Sequence, residues 1–150
     1  MIIAVDFDGT LVDHRFPDIG REIPAAFEWL KLWQQAGARL ILWTVRADGG
    51  EGGPSKSPLG DYLRHAVEFC QARGIEFWGV NENPEQAAWS TSPKAYAHLT
   101  IDDTAYGCPL RANPRMGGQP YVDWRIVGPS VLAKIQGSLP PSPQEAADER

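Results

Sequence analysis

A chain of 150 residues that is 43% hydrophobic, with six tryptophans, holds enough apolar material for one packed domain and excludes a disordered chain. Its net charge of −5 argues against a general binder of nucleic acid or anionic membrane, while leaving room for a local basic groove. Cys70 and Cys108 lack metal-ligand spacing. With no signal-peptide pattern and no apolar run of bilayer length, they fit free thiols in a cytoplasmic protein.

The first element predicted is a short strand, Ile2 to Val5, apolar at every position and so buried on both faces. It runs into Asp6-Phe7-Asp8-Gly9-Thr10. A buried strand does not tolerate carboxylates in mid-sheet, so Asp6 is expected where the strand emerges. In an open α/β fold that carboxyl edge is where ligands bind. Leu11, Val12 and Phe16 support a small flap or turn, which carries His14 and Arg15 as solvated residues.

A helix is predicted over 22–36, from Ile23, Ala26, Phe27, Leu30 and Trp33 near a 3.6 period, with Pro24 early and Gly37 as the cap. Arg39 to Thr44 reads as a second buried strand ending in a polar residue. Residues 47–60 are glycine-rich and leave the sheet at that same edge, a place where a loop can serve as a lid. A second helix is expected over 61–73, closed by Gly74, and a third strand over 75–80.

Residues 81–92 read as irregular, followed by Lys94 and a fourth strand, His98 to Ile101, which ends in Asp102-Asp103. A proline- and glycine-rich loop covers 104–120. Tyr121 to Val127 is the candidate fifth strand, and Ser130 to Ile135 a last short helix opened by Pro129. The domain spans 1–138, and the proline-rich acidic tail 139–150 is expected to be disordered.

Strands alternating with helices imply a parallel sheet with right-handed crossovers, so all the carboxyl ends share one edge. Asp6 and Asp8, Thr44, and Asp102 and Asp103 then meet at one place. Two negative charges 4 Å apart repel by about 4 kcal/mol at an effective dielectric of 20. Such a cluster calls for a cation, and oxygen ligands without histidine or cysteine favour Mg²⁺. The Thr44 hydroxyl and the Lys94 ammonium suit a phosphoryl group beside that ion.

These residues resemble the haloacid dehalogenase (HAD) superfamily of phosphohydrolases. Its four motifs match Asp6-x-Asp8-x-Thr10, the strand ending at Thr44, Lys94, and Ile101-Asp102-Asp103, in that order, across about two-thirds of the chain. The resemblance implies a three-layer, Rossmann-like α/β sandwich with a mainly parallel five-stranded sheet. It implies a Mg²⁺-dependent phosphomonoester hydrolase in which Asp6 is the nucleophile and Asp8 the general acid and base. The metal would be held by the Asp6 carboxylate, the Asp8 backbone carbonyl and Asp102 or Asp103, and the phosphoryl oxygens by Thr44 and Lys94. Neither interval where the family inserts a cap domain has room for one, so this is similar to a capless member. Arg46 and Lys56 are then the candidates for substrate contact.

Three rivals carry less. A receiver domain would need a lone central aspartate and a late lysine, an order this chain does not have. A catalytically silent phospho-ligand binding or scaffolding module is disfavoured because every catalytic position is filled. A phosphatase acting on nucleic-acid ends is disfavoured by the acidic balance. The expected partner is a phosphorylated substrate of unspecified class, with no membrane, and a homo-oligomer stays open.

Overall fold

The computed structural model describes residues 1–49 and 60–137. Lys56, most of the 47–60 loop and the 139–150 tail lie outside the described residues. β1, Ile2–Val5, is buried throughout because the sheet is covered on both sides. Ile3 and Val5 enter one large apolar cluster; Ile2 and Ala4 point the other way, to a smaller one with Ile41.

α1, Ala26–Gln35, buries Ala26, Phe27, Leu30 and Trp33, the stripe its sequence spacing demands. It starts four residues later than expected, after Ala25 at φ 67°, and Gly37 at φ 88° takes the left-handed turn beyond its end. β2 is Arg39–Leu42, α2 is Tyr62–Gln71, β3 is Gly79–Val80 and β4 is Leu99–Ile101. All four strands are parallel, in the order β3-β2-β1-β4. Only the last two residues of the expected 75–80 strand join the ladder, although the Trp78 N–H already donates to the Leu40 carbonyl at 2.8 Å.

The connections β1-α1-β2 and β2-α2-β3 step in one direction, so right-handed crossovers put both helices on one face. The return to β4 crosses the other side of β1. There Trp43, Trp78 and Ala97, none of them helical, pack over Ile2, Ala4 and Ile41. A single 3₁₀ turn, Gln86–Ala88, lies in that return. Its Gln86 side chain donates to the Ser92 and Lys94 carbonyls and accepts from the Tyr96 N–H.

Among the described residues the parallel sheet has four strands where five are expected. β5, Leu110–Arg111, pairs antiparallel with β6, Tyr121–Val122, as a separate hairpin. The candidate fifth strand stops at Asp123, whose carboxylate accepts the Arg125 N–H and whose carbonyl accepts those of Ile126 and Val127. That capping starts α3, Trp124–Gly137, six residues ahead of the expected helix, with Pro129 inside it. α3 lies against α1: the Trp33 indole donates to the Gly128 carbonyl at 3.1 Å, and the Trp33 and Trp124 rings are 5.2 Å apart.

Candidate functional site

Each strand of the parallel sheet hands a polar residue to one edge. Asp6 follows β1 and extends its ladder, its N–H donating to the Ile101 carbonyl at 2.9 Å. Thr44 lies two residues past β2. Asn81 follows β3, in the left-handed region at φ 53°, and its side-chain oxygen accepts the Thr44 N–H at 2.8 Å. Asp102 and Asp103 follow β4. Asp6, Trp43, Thr44, Val45, Asn81 and Asp102 line a cavity of about 180 Å³. That is smaller than a typical small-molecule pocket, and suits an ion with a phosphate-sized group.

Carboxylate oxygens of Asp6, Asp102 and Asp103 lie within 4.8 Å of one another. Burial, with the charges of Asp102 and Asp103 adding to it, pushes the Asp6 carboxyl up to about 7, against the lowering hydrogen bonds from the Phe7 N–H and Thr10. Burial also raises Asp103, with Asp102 adding to the rise and His14 opposing it. Three half-buried carboxylates this close together could hold a metal ion, and their all-oxygen donor type is that of a hard divalent cation.

Thr10 joins two of them. Fully buried, it donates to Asp6 Oδ2 at 3.1 Å and accepts the Asp103 N–H at 3.2 Å. His14 Nε2 lies 3.1 Å from Asp103 Oδ2. Gly9, at φ 83°, makes room for this: a Cβ there would stand 2.3 Å from His14 Nε2 and 2.6 Å from Asp103 Oδ2. The turn is braced from behind by α3, whose Trp124 indole donates to the Thr10 carbonyl at 2.7 Å.

Asp8 stands apart from the triad. Arg46 holds both of its oxygens, Nε to Oδ2 and Nη2 to Oδ1, each at 2.7 Å. The guanidinium also donates to the Pro17 carbonyl at 3.1 Å and the Asp18 carbonyl at 2.8 Å, and Arg46 is only 2% exposed. Arg46 therefore does not project toward solvent as the substrate contact read from the sequence; its charge is engaged by Asp8. The Asp8 carboxylate, held in this way, is not part of the metal-sized triad.

The Thr44 hydroxyl lies on the cavity and accepts the Arg46 N–H at 3.2 Å. Lys94 is exposed on the segment before β4 and does not line that cavity; the main-chain tie to Gln86 fixes its backbone. The small flap expected after the acidic motif is present, Val12 bridging antiparallel to Glu22 and the Asp13 N–H donating to the Arg21 carbonyl. Asn81, the polar residue of a fourth strand end, was missed within a stretch read as irregular. Like Thr44, it is the polar residue at which an apolar run breaks. The roles of Thr10 and His14 depend on contacts 93 and 89 residues away in sequence, for which the chain carries no local signal.

A solved structure of a conserved protein from Bacteroides thetaiotaomicron is similar to this chain. The two are 44% identical, the match covers 89% of this chain and 91% of that one, and the TM-score is 0.65. This chain belongs to that protein's family. No protein-family model matches the sequence, and neither does any curated protein. Among the described residues no helix is long and apolar enough to cross a membrane.

Proposed function

We propose that this protein is a Mg²⁺-dependent phosphomonoester hydrolase of the HAD type, working through an aspartyl-phosphate on Asp6. The observation that carries the reading is the triad: Asp6, Asp102 and Asp103, from two strand ends far apart in sequence, gathered within 4.8 Å beside a phosphate-sized cavity. The four-stranded parallel sheet is then the centre of a capless Rossmann-like domain, with the reaction facing the open carboxyl edge.

The Asp6 and Asp102 carboxylates, with Asp103, fit Mg²⁺ by donor type and spacing, and the Asp8 backbone carbonyl would complete the protein's share. When bound, the ion supplies the positive charge that keeps Asp6 ionised and offsets the charge of a phosphoryl group. Thr10 engages Asp6 Oδ2, which leaves Oδ1 as the attacking atom. Oδ1 forms the new bond to phosphorus as the bond to the leaving oxygen breaks. The leaving oxygen takes its proton from solvent water, and Asp8, whose two oxygens accept from Arg46, takes the proton of the water that hydrolyses the intermediate, returning Asp6 and releasing phosphate. The Thr44 hydroxyl and backbone N–H groups beyond Asp6 bind the phosphoryl oxygens. Lys94, which does not line the cavity, is the proposed cationic partner of those oxygens. Trp43 and Val45 give the cavity an apolar wall, and Val45 is fully exposed at its mouth, a surface for the leaving group. The substrate is a phosphorylated molecule met without a cap domain, in the cytoplasm.

The test is turnover of p-nitrophenyl phosphate with Mg²⁺ and with EDTA, in the wild type and in Asp6→Asn. The expected outcome is activity that needs the metal and falls at least about 10³-fold in the variant, as loss of a nucleophile demands. Metal-independent turnover, or an active Asp6→Asn protein, rejects the reading.

A further inference from the structure

Arg46 is a buried charge that belongs neither to the triad nor to the cavity lining. Four N–H bonds of its guanidinium are committed, two to the Asp8 carboxylate and two to the Pro17 and Asp18 carbonyls at the tip of the flap. The same group lies 5.0 Å from the Phe7 ring and 5.2 Å from the Phe16 ring, so it is held between the acidic motif and the flap. Phe16 is 59% exposed and meets Tyr62 edge-on at 5.2 Å, while Ile19 beside the tip packs against the core. A buried ion pair of this kind is a poor device for stability, because desolvation consumes most of the Coulombic gain. What it supplies is a fixed geometry.

We propose that Arg46 is a positioning residue: one guanidinium aims the Asp8 carboxylate and pins the flap over it, so the flap closes and Asp8 is placed in a single event. This rests on the phosphohydrolase reading, in which Asp8 transfers the proton. The flap's sequence does not need to touch substrate for this to matter; its two tip carbonyls define where Arg46, and therefore Asp8, can sit. Arginine is required because the planar fork meets both carboxylate oxygens and both carbonyls at once, which an ammonium cannot do.

The experiment compares wild type, Arg46→Lys and Asp8→Asn by amide exchange at Asp13 and Arg21, the hydrogen-bonded pair at the flap's base, and by p-nitrophenyl phosphate kinetics. Arg46→Lys and Asp8→Asn should each speed that exchange by at least about tenfold, since each breaks one end of the charged tie. The double variant should gain no more than either single one. In Arg46→Lys kcat should fall about 100-fold with KM nearly unchanged, the mark of a misplaced proton-transfer group. Asp8→Asn keeps the size of the side chain and tests the coupling should the lysine variant not fold. Unchanged exchange in a folded variant, or additive effects in the double, overturns the proposal. Wild-type protein without turnover overturns the hydrolase reading and Arg46's part in it, whereas metal-dependent turnover with unaltered Arg46→Lys kinetics overturns the clasp alone.

Discussion

Asp6 is a carboxyl whose environment opposes its charge, and the consequence can be read without any substrate. Burial first, then Asp102 and Asp103, raise its folded value to about 7 from 3.8. Between those values the folded chain binds a proton that the unfolded chain releases. Metal-free stability is therefore highest below about pH 4 as far as this group is concerned, and is lost as pH rises toward 7. The slope from one such group is at most about 1.4 kcal/mol per pH unit. Thermal melts in EDTA at pH 5 and pH 7.5 should show a drop for wild type that is much smaller in Asp6→Asn. Equal drops in the two proteins would mean that Asp6 is ordinary. Asp103 shifts in the same direction and leaves a residual slope in the variant.

At the scale of elements, what the sequence disclosed depended on how local its signal was. β1 and β2 are legible because each is a short, β-branched or leucine-rich apolar run that breaks at a polar residue, and that residue marks the site edge. Asp6, Thr44 and the Asp102-Asp103 pair stand where that reasoning put them. The hairpin β5–β6 and the start of α3 were not legible. Tyr121 and Val122 have strand chemistry, but Asp123 caps a helix rather than continuing a strand, and Pro129 misled because proline normally marks a first turn. Arg46 was read as a substrate contact because no local pattern tells a solvated arginine from one gripped by Asp8 38 residues away.

α3 matters because it backs the motif turn, and its seat on α1 is tight at one point. A Cβ at Gly128 would stand 2.3 Å from the Trp29 ring, and the Gly128 carbonyl receives the Trp33 indole. Gly128→Ala should therefore destabilise by about 1–3 kcal/mol, the cost of overpacking, despite alanine's better helix propensity. Chemical denaturation reads this directly. A stabilised variant would show that the two helices can slide apart freely.

For the whole molecule, the triad sets function against stability. An acidic chain, net −5, concentrates three carboxylates at one sheet edge, where they repel one another through a partly desolvated medium. Without metal this edge would be a weak point of the fold; a bound cation would tie the ends of β1 and β4, neighbours in the sheet. Mg²⁺ at a hundred times its Kd should add about 2.7 kcal/mol. For a domain of this size that raises the melting temperature by roughly 5–10 °C. Replacing Asp102 and Asp103 together by asparagine reverses both halves of the balance. That variant should melt higher than wild type in EDTA, because the repulsion is gone, and should gain almost nothing from Mg²⁺. Differential scanning calorimetry on the two proteins, with and without the ion, reads all four values. A wild-type chain that melts above the variant in EDTA would show that the carboxylates are not strained by proximity, and the argument for a cation at this edge would lose its physical ground.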